Sequence, residues 1–186
     1  NGSYSEAIEL CREALACLDE KDLLFRGLIL NLLGQSLEWQ GDVAAAADAY
    51  REGTRMGRRA GDYVGALAAQ VNLAFALNEL GRLQEAIALC KSFEDEVRTK
   101  DKSARSAEAI DLAWSWLSYE ANERERAREQ ALLALSLAEG VGFSDSILRV
   151  QYTLDRTHLA IGQVDAARQV VNDAYRLIDR LDLDLP

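Results

Sequence analysis

Proline occurs once in this chain of 186 residues, at Pro186, and histidine once, at His158. So little proline leaves long stretches free of the missing amide and steric block that stop a helix. One histidine excludes multi-histidine metal clusters and confines any histidine-dependent catalysis to that residue. A lone histidine on a helix reads as a packed or half-exposed polar side chain. The three cysteines, Cys11, Cys17 and Cys90, lack metal-ligand spacing, and their odd number argues against a disulfide framework. A reducing, cytoplasmic compartment is expected. No stretch approaches the about 20 apolar residues of a membrane span, no signal peptide is visible, and no glycine-rich loop leads into Lys-Ser/Thr. We therefore assign no catalytic residue, cofactor or metal site, and expect no membrane contact. The chain opens on Asn1 rather than Met, which reads as a piece of something larger.

Basic charge is also short. Twenty-one Lys and Arg stand against 31 Asp and Glu, a net charge of −10. Nucleic-acid affinity comes largely from Lys and Arg neutralising phosphates, so direct nucleic-acid binding by this chain is not expected. What is abundant is Ala, Leu, Glu and Arg, side chains that lose little rotamer freedom in a helix.

A phrase recurs through this helical composition. Gly2, Gly41, Gly81, Asn122 and Gly162 follow one another at steps of 39, 40, 41 and 40 residues. Each is followed by a small residue on the next helix: Ala7, Ala46, Ala86, Ala127 and Ala167. A Gly or Asn at this point suits the left-handed conformation in which many helices end. Small residues recur seven places on, at Ala14, Gly53, Ala134 and Ala174, with Phe93 as the exception. Seven residues are nearly two turns, so each pair shares a face that a neighbouring helix can approach closely. Cys11 and Cys90 share one repeat slot with Tyr50, Ala131 and Val171 and are expected to be core. Asp62, Ser103 and Ser144 are candidate N-caps.

The pattern resembles tetratricopeptide repeats, whose usual unit is about 34 residues; these copies are longer. The expected fold is all-α, a right-handed superhelix of antiparallel helix pairs. Helices are expected near 3–19, 22–39, 42–59, 62–80, 82–98, 103–120, 123–139, 144–161 and 163–181. The whole of 1–186 forms one repeat domain, with copies near 1–20 (partial), 21–60, 61–101, 102–141 and 142–186. In the third pair Ile110, Trp114 and Leu117 suggest a stripe slipped by one residue; in the fourth, Asp155 and His158 fall where apolar residues belong.

In this register the first helix of each pair would line a concave face. Asn31, Gln35, Glu38 and Trp39 would project inward from one helix, Phe75 and Asn78 from another. Trp116 and Tyr119 would follow, then Arg149, Tyr152 and Arg156. Apolar walls with a few directional polar groups suit a ligand groove; the plainer reading packs most of these side chains between repeats. Arg51, Arg55, Arg58 and Arg59 form a basic stripe on one helix, and an exposed face is the commoner meaning of such a run. Arg124, Arg126 and Arg128 read as solvated surface.

Three stretches carry a narrower resemblance. They are Asp22-Leu-Leu-Phe-Arg26-Gly27 leading into Leu33-Gly34 and Gly41-Asp42, then Ser118-Tyr119-Glu120-Ala121-Asn122-Glu123, and Leu154-Asp155-Arg156-Thr-His-Leu-Ala160-Ile-Gly162. The chain resembles the helical sensor region of the large ATP-binding LuxR-family transcriptional activators, the MalT-like regulators. It departs from their pattern at Ala121, Asp155 and His158. The resemblance implies a parent with a nucleotide-switch ATPase upstream and a helix-turn-helix domain downstream. This chain would then be a non-catalytic sensor whose partner is a small-molecule inducer or a regulatory protein or peptide, with self-association a further candidate. The alternative is a generic tetratricopeptide adaptor for protein–protein interaction; the lysines of a carboxylate clamp, expected of a co-chaperone-like version, are not in place.

Overall fold

The structure is a computed structural model and describes residues 2–100, 103–141 and 144–181. Among these residues there are nine helices and no strand. They are α1 (Gly2–Cys17), α2 (Leu23–Gln40), α3 (Val43–Ala60), α4 (Tyr63–Glu79) and α5 (Leu83–Lys100). Then come α6 (Ala104–Glu120), α7 (Arg124–Val141), α8 (Ser144–Ala160) and α9 (Val164–Leu181). These are the helices the repeat phrase predicts, with ends shifted by up to two residues. No helix among the described residues is long and apolar enough to cross a membrane. The chain divides into two compact units, Asn1–Asp101 and Lys102–Pro186.

Four of the five expected stop residues, Gly41, Gly81, Asn122 and Gly162, take the left-handed conformation after a helix, while Gly2 is the first residue of α1. Asn122 is the one described non-glycine residue at positive φ, at 64°, and Gly41 lies at 95°. At Gly41 the chain turns so that its own amide reaches the Glu38 carbonyl and the Asp42 amide reaches that of Leu37, at 2.9 Å each. Two carbonyls left over at the end of α2 are thereby satisfied. Asn can take this slot at small cost because its short amide tolerates the left-handed region. Asp62 accepts from the Gly65 amide at 2.9 Å and Ser103 from that of Ser106 at 3.2 Å, so both cap as expected. Asp42 caps α3 in the same way through Ala45. Ser144 is the first residue of α8, and the position where its cap would sit lies outside the described residues.

In the first unit α2 packs on α1, α3 and α4, and α4 on α3 and α5. Helices with neighbours on several sides are apolar around most of their circumference. On α4, Ala66, Leu67, Ala69, Val71, Leu73, Ala74, Ala76 and Leu77 are all buried. The α2–α3 approach is set by small residues. A Cβ placed on Gly53 would meet the Gly27 carbonyl at 3.2 Å, and one on Gly27 would meet the Gly57 amide nitrogen at 3.2 Å. The backbones touch with no room for intervening side chains. Gly34 makes space of another kind. Tyr50 of α3 is fully buried with its ring against the Gly34 backbone, and its hydroxyl donates to Glu38 Oε2 at 2.6 Å.

In the second unit α7 packs on α6 and α8, α8 on α9, and α6 touches α8 directly. Ala127, Ala131, Ala134 and Ala138 run fully buried along α7, and Ala167 is buried on α9. In the third pair Ile110, Trp114 and Leu117 are all buried, and so are Ser115 and Ser118, the positions of the unslipped register, because α6 is covered around most of its circumference. His158 is buried too, with its Nδ1 2.8 Å from Gln163 Oε1. It is a packed polar residue.

Cys90 is fully buried as expected, but Cys11 is only half-buried and Cys17 exposed. Among the described residues α1 packs on α2 alone, so the repeat slot that is core in α5 is only partly covered in α1.

Most buried hydroxyls bond back into their own helix. Ser36 donates to the Leu32 carbonyl at 3.0 Å, Ser115 to Leu112 at 2.7 Å and Thr157 to Thr153 at 2.7 Å. Thr54 Oγ1 is buried without such a partner. An unmet buried hydroxyl costs about 1–3 kcal/mol. Thr54→Val keeps the shape and removes the hydroxyl, so it is expected to stabilise the chain by about 1 kcal/mol. A melting midpoint at or below that of the wild type, read by circular dichroism, would contradict this.

Candidate functional site

The residues expected to line a groove fall into two groups, one in each unit. In the first unit Asn72 of α4 donates through Nδ2 to Asn31 Oδ1 of α2 at 3.1 Å. That amide pair ties α2 to α4. Glu38 turns toward α3, where it holds the Tyr50 hydroxyl. Desolvation, with the Glu38 carboxylate adding to it, raises the Glu79 carboxyl above the ordinary carboxylate range. Trp39 is exposed and leans on Tyr4 of α1, ring centroids 5.5 Å apart and planes tilted by 57°. Gln35, Phe75 and Asn78 are half-buried on α2 and α4. These contacts join helices; they do not converge on one point.

In the second unit the expected residues do converge. Trp116 of α6 and Tyr152 of α8 stack at 5.7 Å with planes 27° apart. Arg156, one turn beyond Tyr152, places its guanidinium 4.4 Å from the Tyr119 ring centroid, 5.4 Å from Trp116 and 5.6 Å from Tyr152. It also reaches Glu120 Oε1 at 3.4 Å. A guanidinium within about 6 Å of a ring face is attracted by the ring quadrupole, so three rings and one carboxylate fix this side chain. Tyr152 stays 54% exposed, which leaves part of its surface open to a ligand. Arg149 is exposed on α8 one turn before Tyr152.

The spacing explains the cluster. Trp116 and Tyr119 lie three apart on α6, and Arg149, Tyr152 and Arg156 lie three and four apart on α8, so each set forms one stripe. Direct α6–α8 packing brings the stripes face to face.

Other members carry less signal in sequence. Glu120 holds Arg156, and Arg124, read as solvated surface, stands 5.6 Å over the Tyr119 ring. Arg126 does likewise for Trp114, at 4.5 Å, while pairing with Glu123 at 2.9 Å. Arginine covers aromatic surface with its stem while keeping its charge in water, so alternation with Glu says nothing about which rings lie beneath.

Two of the three resemblance-bearing stretches meet here, since Tyr119 and Glu120 belong to one and Arg156 to another. The remaining stretch also has a visible task. Arg26 Nη1 donates to the carbonyls of Leu15 and Leu18, at 2.9 and 3.2 Å, closing the end of α1 as basic side chains do at helix C-termini.

A separate open groove of about 660 Å³ runs between α7, α8 and α9 over Leu135, Ile147, Val170 and Leu177. Gln151 sits in its wall, and its Oε1 is buried without a hydrogen-bond partner. Sequence reading does not single out this groove, because the stripes that line it, Leu135 with Glu139, Ile147 with Gln151 and Val170 with Leu177, have the spacing of any core-facing helix stripe. Among the described residues no group of three or more His, Cys, Asp or Glu is placed to hold a metal ion.

Several solved structures share this architecture. BtubC (BKLC) from P. vanneervenii matches with a TM-score of 0.68 at 22% identity, over 100% of this chain and 77% of that one. The apo form of RapI matches with a TM-score of 0.69 at 12% identity, over 94% and 63%. A variant of a putative kinesin light chain from Podosopora anserina, with nearly identical tetratricopeptide-like repeats, matches with a TM-score of 0.64 at 20% identity, over 98% and 90%. At these identities the likeness shows the fold, an all-α tetratricopeptide-like helical repeat. No curated protein matches the chain. Repeat arrays of this type generally present binding surfaces, which makes the chain an interaction module. The model of the MalT-like TPR region matches residues 1–184, and the chain belongs to that family.

Proposed function

We propose that this chain is the non-catalytic sensor module of a transcriptional regulator, and that the aromatic–guanidinium cluster between α6 and α8 is where it meets its ligand. The observation that carries the reading is the exposed Tyr152 stacked on Trp116, with Arg156 held over three rings and against Glu120. A flat ring face beside a fixed guanidinium and a carboxylate offers apolar contact together with directional hydrogen bonds. Ligand occupancy would bias the regulator between its states by binding one more tightly than the other. The ligand is a small-molecule inducer or a peptide of a regulatory protein. Asn31, Gln35, Glu38, Trp39, Phe75 and Asn78 hold related repeat positions in the first unit, but there they tie helices together and are not the proposed ligand contact.

Two tests separate the parts of this reading. The parent gene should encode an ATPase before this segment and a helix-turn-helix after it; absence of both sinks the regulator role. In the full-length regulator, Tyr152→Ala should abolish ligand-dependent transcription from its target promoter. The purified chain should keep its stability within about 0.5 kcal/mol, as exposed positions generally do. Unchanged induction would remove the cluster from consideration. For Trp116→Ala, a loss of several kcal/mol would mark that ring as core, since truncating a buried aromatic costs about 3–5 kcal/mol.

A further inference from the structure

The open groove between α7, α8 and α9 has no part in the cluster above, and the repeat supplies a comparison for it. Gly41 and Asn122, like Gly81 and Gly162, stand 81 residues apart. Helices α3, α4 and α5 therefore correspond position by position to α7, α8 and α9. In each set the outer two helices pack on the middle one and leave a gap between themselves.

In the first unit two side chains close that gap. Phe93 occupies it, leaving a void of only about 20 Å³, and Arg58 of α3 bridges to Glu96 of α5 at 2.7 Å. In the second unit Ala174 stands in the slot of Phe93, and Arg58 and Glu96 become Glu139 and Leu177, which cannot pair. Thr54 and Ala66 become Leu135 and Ile147. The gap there stays open at about 660 Å³ and its lining is aliphatic. Leu135, Ile147 and Val170 are only half-buried, so apolar surface is left for an occupant. The groove that persists between α3 and α5, about 530 Å³, is instead walled by the arginine stripe, with Arg51 paired to Asp48 and Arg55 to Glu52.

Gln151 gives the open groove a direction. It is 6% exposed, and its Oε1 is buried with no hydrogen-bond partner. A buried amide oxygen without a donor is costly, and an incoming N–H or O–H relieves it. The last torsion of a glutamine side chain is broad, so the amide can turn to meet such a donor. Gln70 holds the same slot in the first unit, beside Phe93. The buried amide is thus a feature of the repeat, whereas the aliphatic space next to it belongs to the second unit. Charge on the rim is mixed: Glu139, Asp179 and Arg180 stand there, and Arg176 pairs with Asp173 at 3.0 Å. No single sign dominates, which suits an uncharged ligand.

We propose that this groove binds an uncharged small molecule with an aliphatic body and one O–H or N–H donor. The donor meets Gln151 Oε1, and the body lies along Leu135, Ile147 and Val170. The volume falls within the range of small-molecule sites, about 300–1,000 Å³. Tyr152 stacks on α6 while its neighbour Gln151 lines the groove, so this site is separate from the aromatic cluster and does not depend on it.

The test is a titration of the whole chain with 1-octanol, followed by NMR at side-chain methyls and amides. Saturable shifts should appear at Leu135, Ile147, Val170 and Leu177 and at the Gln151 amide. Heptyl methyl ether, an isomer with no donor, should bind about fivefold more weakly. In Gln151→Leu that difference should vanish while the methyls still respond. Ala174→Phe, which copies Phe93, should abolish the shifts, with circular dichroism verifying that both variants fold. The proposal is overturned if the shifts do not saturate, or if they are as large at the exposed Leu10, Leu28 and Leu32, which would mark non-specific apolar contact. It is also overturned if the ether binds the wild type equally well, or if the preference for the alcohol survives in Gln151→Leu.

Discussion

Gly34→Ala is expected to destabilise the chain by about 2 kcal/mol, although alanine is the better helix former. A Cβ at this position would lie 2.6 Å from Tyr50 Cδ1 and closer still to Cε1, far inside contact distance. The ring cannot yield cheaply. It is fully buried, and its hydroxyl is anchored on Glu38 Oε2 at 2.6 Å. Relief requires α2 and α3 to separate or the hydrogen bond to break. Overpacking of this kind costs about 1–3 kcal/mol, and a clash this short belongs at the upper end. The helix-propensity gain of about 1 kcal/mol for Gly to Ala offsets part of it. For a chain of this size the midpoint should fall by about 4–8 °C, read by circular dichroism. Because the cause is the ring, Gly34→Ala should cost much less in a Tyr50→Leu background. An additive double variant would refute the mechanism.

The second large effect is expected at Phe93, which interrupts the run of small residues. It is 1% exposed and lies with Arg58, Tyr63, Ala66, Leu67, Gln70 and Val97 around a void of only about 20 Å³. Phe93→Ala should cost about 3–5 kcal/mol, the transfer of the ring plus the cavity it leaves. α5 packs on α4 as its described neighbour within the first unit, so the loss should concentrate there. Native-state hydrogen exchange should show amides of α5 losing protection before those of α7 and α8. Uniform loss across all helices, or a change below about 1 kcal/mol, would mean that Phe93 is not the plug its burial indicates.

The two sites show what can and cannot be read from sequence. Gly34 is legible as a small residue at a fixed distance from a turn, since the repeat states where helices approach. That the approaching group is a tyrosine ring anchored on Glu38 is not, because Tyr50 belongs to the next helix and shares its slot with cysteine and alanine. Phe93 looks like an irregularity in the repeat, and burial shows it filling space between α3, α4 and α5. In the candidate site, Trp116, Tyr119, Tyr152 and Arg156 are recoverable because two helical stripes in matching repeat positions must face each other. Arg124 and Arg126 escape for a physical reason: a long side chain with its charge in water looks the same in sequence whether its stem lies on a ring or in solvent.

Sequence by itself determined the helices, their ends and their repeat. These depend on interactions within a few residues: left-handed stops at Gly41 and Asn122, caps at Asp62 and Ser103, and small residues seven apart. Tertiary structure alone decided which stripe became a cluster and which stayed a set of separate joints. Asn31, Glu38 and Trp39 each found a different neighbour, on α4, α3 and α1, while Arg156 found three rings at once. Periodicity specifies the direction in which a side chain leaves its helix. Which groups meet it there depends on the distance and rotation of the neighbouring helix, set by packing across the repeat.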